Sequence, residues 1–569
     1  MRRTPDRRGV LRAAGAVALL GLGTACARIP VDSPVASREV GGASQAGAPY
    51  VRALPPAEDA SPEEIVIGFI HAGVGLEDDY AVAREYLTGE ALDSWDPDGG
   101  VTVYSSSQDL QVDAADEETY ALVVEAIATM DASGARQLLS SPAGRETFFA
   151  VTEVDGQWRI SSAPDGIFLS EAAFETLYAP ARIYFLDSRQ VHLVPDQRWV
   201  SLQRGSDAIL SLLIDGPAPH LRDAVTSAVP GTLDPRDAVV STREDGSLQV
   251  TLPAAIRDLP SPRRRLAVSQ IEASLRSLRT LSGVRVVAGE EIAVDGESQG
   301  LERELPGHRP IAAGELGVIA LTEAENDPAS AQLVPELAGI PLRRPTLARD
   351  GVHVAALSAD ESVVLMTSTD ASVPLREAAS GGVFLGPRID DAGYVWTSAR
   401  SSAGVLLALA IAGPEQDVQV DAAWLAGRQI LSLDLASDAT RLLVLSSDAG
   451  GARLDLCAIR RDADGIPMSL TEPLALRTFV SHTVQAGWYD EMAVIVLGED
   501  PSAGEPRALV VDLAGERDPL PEFAHEVVSV AGTVVAETVW AGTADGQLLR
   551  SDGESWSATS IVGRDPTFY

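Results

Sequence analysis

Val352-His353-Val354-Ala355-Ala356-Leu357-Ser358-Ala359-Asp360-Glu361-Ser362-Val363-Val364-Leu365-Met366 is two short apolar runs folded about a turn of Ser, Ala and Asp. Neither run is long enough for a buried helix, and both are rich in residues that favour strands, so the stretch reads as a hairpin. From about Pro310 onwards helical periodicity disappears and the same figure returns again and again. Examples are Gly317 to Leu321, Gly382 to Leu385, Val405 to Ile411, Thr440 to Leu445, Met492 to Leu497 and Thr533 to Trp540. Turns such as Thr543-Ala544-Asp545-Gly546 separate them. About 260 residues at some 40 to 45 per four-stranded blade predict roughly six blades of a β-propeller over 310–569. Five and seven blades stay open, and a large pair of β-sandwiches is the main rival.

Working towards the amino terminus, 181–300 alternates helix and strand. Arg182 to Leu186 reads as a strand and Asp207 to Ile214 as a helix stopped by Asp215-Gly216-Pro217. Val239 to Thr242 and Leu248 to Leu252 form a hairpin through Asp245-Gly246. Arg263 to Leu281 is a long amphipathic helix, and strands at Val284 to Val286 and Ile292 to Val294 follow. Arg263-Arg264-Arg265 puts three cations at a helix start, where the dipole disfavours them, so they form a solvated face or are held by a partner or a carboxylate neighbour.

The span 60–175 opens with Ser61-Pro62-Glu63-Glu64, an N-cap, a first-turn proline and the glutamate of a capping box. Ile65, Phe69 and Ile70 give that helix its apolar face, and a second helix is expected from Tyr80 to Leu87. Strands at Val101 to Tyr104, Tyr120 to Thr129 and Phe148 to Val154 lead to a hairpin at Asp155-Gly156. Helices followed by a meander predict an α+β cone like the NTF2 family. Residues 26–59, rich in Pro, Gly, Ala and Ser, read as a flexible tether spanning roughly 30 Å r.m.s..

Residues 1–25 have the layout of a signal peptide: an arginine-rich start, then an uncharged apolar segment from Ala13 to Ala25, too short for a lasting transmembrane anchor. Cys26 follows Leu22-Gly23-Thr24-Ala25. The stretch resembles a bacterial lipobox, with Gly23 where Leu is usual, in which the cysteine takes a diacylglyceryl group and becomes an acylated amino terminus. Arg7-Arg8-Gly9-Val10-Leu11-Arg12 resembles a twin-arginine export signal with Val10 in place of Phe, so the Sec and twin-arginine routes both stay open.

At 569 residues three or four domains are expected. The net charge is −38, and near −42 once the first 25 residues, with five Arg and one Asp, are gone. Such a surface repels nucleic acid and anionic headgroups, so membrane attachment falls to the acyl chains at Cys26. All 44 basic residues are arginine, which removes the lysine-dependent P-loop, kinase, pyridoxal-phosphate and Ser-x-x-Lys chemistries. Cys457 is the only other cysteine, so no intrachain disulfide is expected if Cys26 is lipidated.

None of the seven histidines, His71, His192, His220, His308, His353, His482 and His525, stands at metal-ligand spacing from another His or a Cys. Neither a Gly-x-Ser-x-Gly elbow nor a Gly-x-Gly-x-x-Gly loop is present. The expectation is no catalytic residue, no metal and no cofactor. Ser94 to Gly99 faintly resembles a calcium loop but reads better as a solvated turn. Trp396, Trp424, Trp488, Trp540 and Trp556 are candidates for blade cores or for a partner surface.

Pro62 to Ile70, Asp79 to Leu87 and Asp155-Gly156-Gln157-Trp158-Arg159-Ile160 followed by Pro164-Asp165-Gly166 resemble the actinobacterial LpqB lipoprotein family. The middle span resembles the GerMN module through Leu213 to Pro217, Val229 to Thr232, Ser269-Gln270 and Val294 to Gly296. Ser358-Ala359-Asp360 is similar to the family's propeller opening. The resemblance implies a lipid-anchored accessory protein on the extracytoplasmic face of the cell membrane. It would act on the sensor histidine kinase MtrB of the MtrA and MtrB two-component system and so influence cell-envelope and division signalling. Only Cys26 carries over as a functional position. A propeller that binds cell-wall glycan or peptide is the second reading, and a metal-dependent propeller enzyme the third.

Overall fold

The structure, a computed structural model, describes residues 53–569 apart from 77–78, 108–109, 279–280, 290, 293–300, 302, 327–329 and 403. The signal peptide, Cys26 and nearly all of the tether lie outside the described residues, as do Val294, Asp295 and Gly296.

The first helix, Pro62–Ala72, forms as its sequence dictates. Ser61 Oγ accepts from Glu64 N at 3.3 Å and Glu64 Oε2 accepts from Ser61 N at 2.9 Å, closing the capping box. Ile65, Val66, Phe69 and Ile70 are buried against a curved sheet. Its strands run in the order Gln157–Ser162, Arg136–Val154, Thr119–Asp131, Gly100–Tyr104, Ile167–Ser170. Asp155 and Gly156 both have positive φ, as a two-residue turn between twisted strands requires. The second expected helix is cut to Ala81–Arg84. Tyr86 and Thr88 are drawn off to pair with the strand at Ile160, at 2.8 and 2.9 Å, so 85–87 cannot stay helical.

A helix, Glu171–Leu177, leads directly into a two-stranded ribbon, Tyr178–Leu186 with Leu193–Ser201. The second of these strands holds Pro195, Asp196 and Arg198 in its middle, a composition that masks it in sequence. Ser261–Arg276 and Gly205–Asp215 pack on the ribbon, and a sheet of Val239–Thr242, Leu248–Leu252, Val284–Ala288 and Glu291–Ile292 completes the middle layer. The long helix starts and stops earlier than its periodicity suggests. Ser277 N turns back to Ser274 O and its hydroxyl accepts from Arg182 N at 3.0 Å, which ends the helix against the ribbon. Of its opening arginines, Arg263 donates to Ala228 O and Arg264 to Arg257 O and Leu259 O. Carbonyl groups and the Ser261 hydroxyl, not a carboxylate, accept from these two.

From Pro310 the described residues form six sheets. Blade 2 is Leu342–Leu347, His353–Ser358, Val363–Ser368 and Arg376–Ser380, and blades 3 to 6 follow with inner strands Arg388–Ile389, Gln429–Leu435, Ser481–Asp490 and Val527–Thr533. Blade 1 is built from both ends of the domain, since the final strand Arg564–Phe568 pairs antiparallel with Pro310–Gly314. That pairing closes the ring. Two of the expected strands are otherwise disposed. Thr533 to Trp540 is a hairpin between Val527–Thr533 and Thr538–Thr543, and Gly382 to Leu385 supplies only a bridge at Phe384. Leu321–Asn326 is a short helix where none is expected.

Candidate interaction surface

The ribbon of the middle layer docks on the propeller through turns that leave its inner strands. Glu491, 6% exposed, sits in the blade 5 turn and takes Arg182 at 2.8 Å, the Tyr184 hydroxyl at 3.0 Å and Arg303. At the tip of the ribbon, Arg189 and His192 reach Asp391 of blade 3, His192 Nε2 at 2.8 Å from Asp391 Oδ2. His192 Nδ1 lies 3.1 Å from Glu304 Oε1, an ion-pair distance without hydrogen-bond alignment, and Glu304 also holds Arg349. A buried contact lies behind them: Arg198 pairs with Asp196 at 2.7 Å, and Thr471 donates to His220 O at 2.6 Å.

Beside these contacts, at one end of the propeller channel, lies a cavity of about 850 Å³, lined among others by Arg349, Asp350, Tyr394, Asp434, Trp488 and Tyr569. The segment at Pro306 and Gly307, just before blade 1, borders it so closely that a Cβ on Gly307 would stand 2.3 Å from the carbonyl carbon of Tyr569. A second cavity, about 770 Å³, lies in the first domain between Leu54, Glu58, Ile65, His71 and Phe168.

The two interface histidines titrate in opposite senses. The hydrogen bond to Asp391 and the Asp391 and Glu304 charges outweigh burial and raise His192. Burial pushes His220 down to about 4 against the pull of Asp196. Around His220 the unfolded chain binds more protons between pH 4 and about 6.5, so stability rises with pH across that window. Around His192 the folded chain binds more protons above about 6.5, so its contribution is lost as pH rises through the raised pKa. The pair is expected to place a stability maximum near neutrality, measured by urea titration across pH. His192→Gln should flatten only the alkaline side and His220→Gln only the acid side; one variant flattening both would refute the assignment.

The expected site residues fall as follows. Cys26 lies outside the described residues. Among the described residues, no group of three or more His, Cys, Asp and Glu side chains is placed to hold a metal ion, and no helix is long and apolar enough to cross a membrane. Asp96 accepts from Asp98 N at 3.0 Å and Asp98 pairs with Arg204 at 2.9 Å, so the acidic turn at 94–99 serves as local structure. Trp396, Trp488 and Trp540 are buried, while Trp424 and Trp556 are half-buried. Sequence reasoning missed Glu491 and Asp391 altogether and gave His192 no role. Their partners are up to 309 positions away, and no local spacing marks them.

Comparison with known proteins agrees with this architecture. Residues 55–175 match the family model described as Lipoprotein LpqB, N-terminal domain, and 322–568 match that of the Lipoprotein LpqB beta-propeller domain. Lipoprotein LpqB of Cutibacterium acnes is 27% identical over 90% of this chain and 90% of its own length. Lipoprotein LpqB of Streptomyces avermitilis is 25% identical over 100% of this chain and 98% of its own. Among solved structures, TolB from Acinetobacter baumannii aligns over 58% of this chain and 81% of its own with a TM-score of 0.34 at 12% identity. With both family models matched in order and relatives aligned from end to end, the chain belongs to the LpqB lipoprotein family.

Proposed function

We propose that this is a non-enzymatic lipoprotein, anchored through acyl chains on Cys26 to the extracytoplasmic face of the cell membrane. There it scaffolds or modulates a two-component system by contacting the extracytoplasmic domain of the sensor kinase MtrB. Family membership carries the reading. The docking through Glu491 and Asp391 adds to it, because the middle layer and propeller then present one fixed surface to a partner. A membrane tether raises the local concentration of that surface near a membrane-borne kinase, so weak contacts suffice.

Two measurements test it. Wild type should fractionate with membranes and carry diacylglyceryl mass, whereas Cys26→Ala should be released; equal solubility of the two would remove the anchor. Detergent-solubilised wild type should retain MtrB, and retention should drop when the propeller or the middle layer is deleted. Retention independent of both would remove the kinase reading.

A further inference from the structure

The docked layers meet the propeller at the turns that leave its inner strands, Asp391 and Glu491 among them. The opposite face carries the entries into those strands, and there the backbone is irregular in the same place in blade after blade. Register shifts fall between Arg343 and Thr346, Ile430 and Ser432, Ser481 and Gln485, Val527 and Ser529, and Ile311 and Ala313. Bulges of this kind re-aim side chains. Here they bring Arg343 to Asp565 at 2.7 Å and Arg344 to Glu361 at 3.1 Å; Arg400 reaches the same Glu361 at 3.5 Å, and deeper in the channel, towards the docked end, Arg388 meets Asp434 at 2.5 Å.

Four guanidiniums thus share three carboxylates, and the two kinds of group are not equally accessible. The carboxylate side chains are 6 to 15% exposed and the arginines 21 to 31%, so within this cluster it is the guanidiniums that are offered to solvent. Between them opens a cleft of about 30 Å³, lined by Arg344, Arg388, Ser432, Gln485, Ser529 and Asp565. It has room for the end of one side chain and not for a metabolite. Ser529, 3% exposed, lines it with a hydroxyl that has no hydrogen-bond partner among the described residues. Val383, Val484, Val528 and Val562, 41 to 69% exposed, stand at or just before the entries to the inner strands of blades 3, 5, 6 and 1.

We propose that this entry face docks an extended acidic segment of a protein partner: one Asp or Glu carboxylate enters the Arg344–Arg388 cleft and flanking apolar residues rest on the valines. A bidentate guanidinium–carboxylate contact supplies orientation, and the valines supply the apolar area. The inference concerns the chemistry of the segment and stands apart from which protein carries it.

The test is fluorescence anisotropy of a labelled Leu-Glu-Leu-Glu-Leu-Glu-Leu peptide on the detergent-solubilised full-length lipoprotein, beside the same peptide with Gln for Glu. The acidic peptide should bind at least about tenfold more tightly, against the repulsion of the chain's net charge. Arg400→Gln and the surface change Val528→Asp should each weaken it several-fold, with circular dichroism reporting an intact fold. Equal affinity for the two peptides, no binding of either, or variants that bind like wild type would overturn the proposal. Complete displacement by millimolar inorganic phosphate would do so too, by marking a simple anion site.

Discussion

Glu491→Ala is expected to release the middle layer from the propeller. The glutamate is nearly inaccessible, and its removal leaves Arg182, Arg303 and the Tyr184 hydroxyl without the acceptor they converge on. Breaking a buried pair costs about 3–5 kcal/mol. Here the two arginines are 35 and 45% exposed and regain water, so the loss is set at about 2–3 kcal/mol. Arg303→Ala, which removes one donor and leaves Glu491 still paired with Arg182, should cost about 1 kcal/mol or less. Urea denaturation reads the stability, and limited proteolysis around 301–309 reads the docking directly. A Glu491→Ala protein no less stable and no more readily cut than Arg303→Ala would show that the ion cluster does not hold the layers together.

The parts of this architecture that were legible in the sequence are those whose side chains face a core on a regular period. The capping box at Ser61, the hairpin at Asp155-Gly156 and the apolar middle strands of the blades all stand where their chemistry puts them. Of the inner strands, only the apolar runs Gln429 to Leu433 and Val527 to Val530 were legible. Leu342–Leu347 carries Arg343, Arg344 and Pro345, Arg388–Ile389 is two residues long, and Arg564–Phe568 contains Asp565 and Pro566. A strand that lines a channel needs polar side chains and bulges, and both erase the two-residue period that betrays a strand. Ring closure by Arg564–Phe568 joins segments some 250 positions apart, which no local pattern encodes. One signal was present and unread. Asp350, Asp390 and Asp438 each follow an inner strand and accept from two backbone N–H groups in the turn. Aligning on those aspartates, not on the apolar runs, recovers the repeat over blades 2 to 4.

Asp390 shows how much weight that position can bear. Its carboxylate accepts from Ala392 N at 3.0 Å, Tyr394 N at 2.8 Å and the Trp396 indole N–H at 2.8 Å, and it meets Arg461 of blade 4 at 2.6 Å. The pair is almost wholly buried, 0% exposed at the aspartate and 6% at the arginine. Asp390→Ala therefore strands a guanidinium between two blades, with Gly465 O and Ala439 O, at 3.2 and 3.5 Å, as its remaining hydrogen-bond acceptors among the described residues. The expected loss is about 3–4 kcal/mol, larger than for Glu491 because water cannot reach the orphaned charge. Asp390→Asn keeps an acceptor for the turn while losing the charge, and should fall between alanine and wild type. The double variant Asp390→Ala with Arg461→Met removes both charges and should recover part of the loss, since a buried pair replaced by apolar groups is often close to neutral. Trp396 reports the site directly, through its fluorescence during urea unfolding. If the double variant were as unstable as the sum of its singles, the cost would lie in the turn and the indole contact, not in the ion pair that ties blade 3 to blade 4.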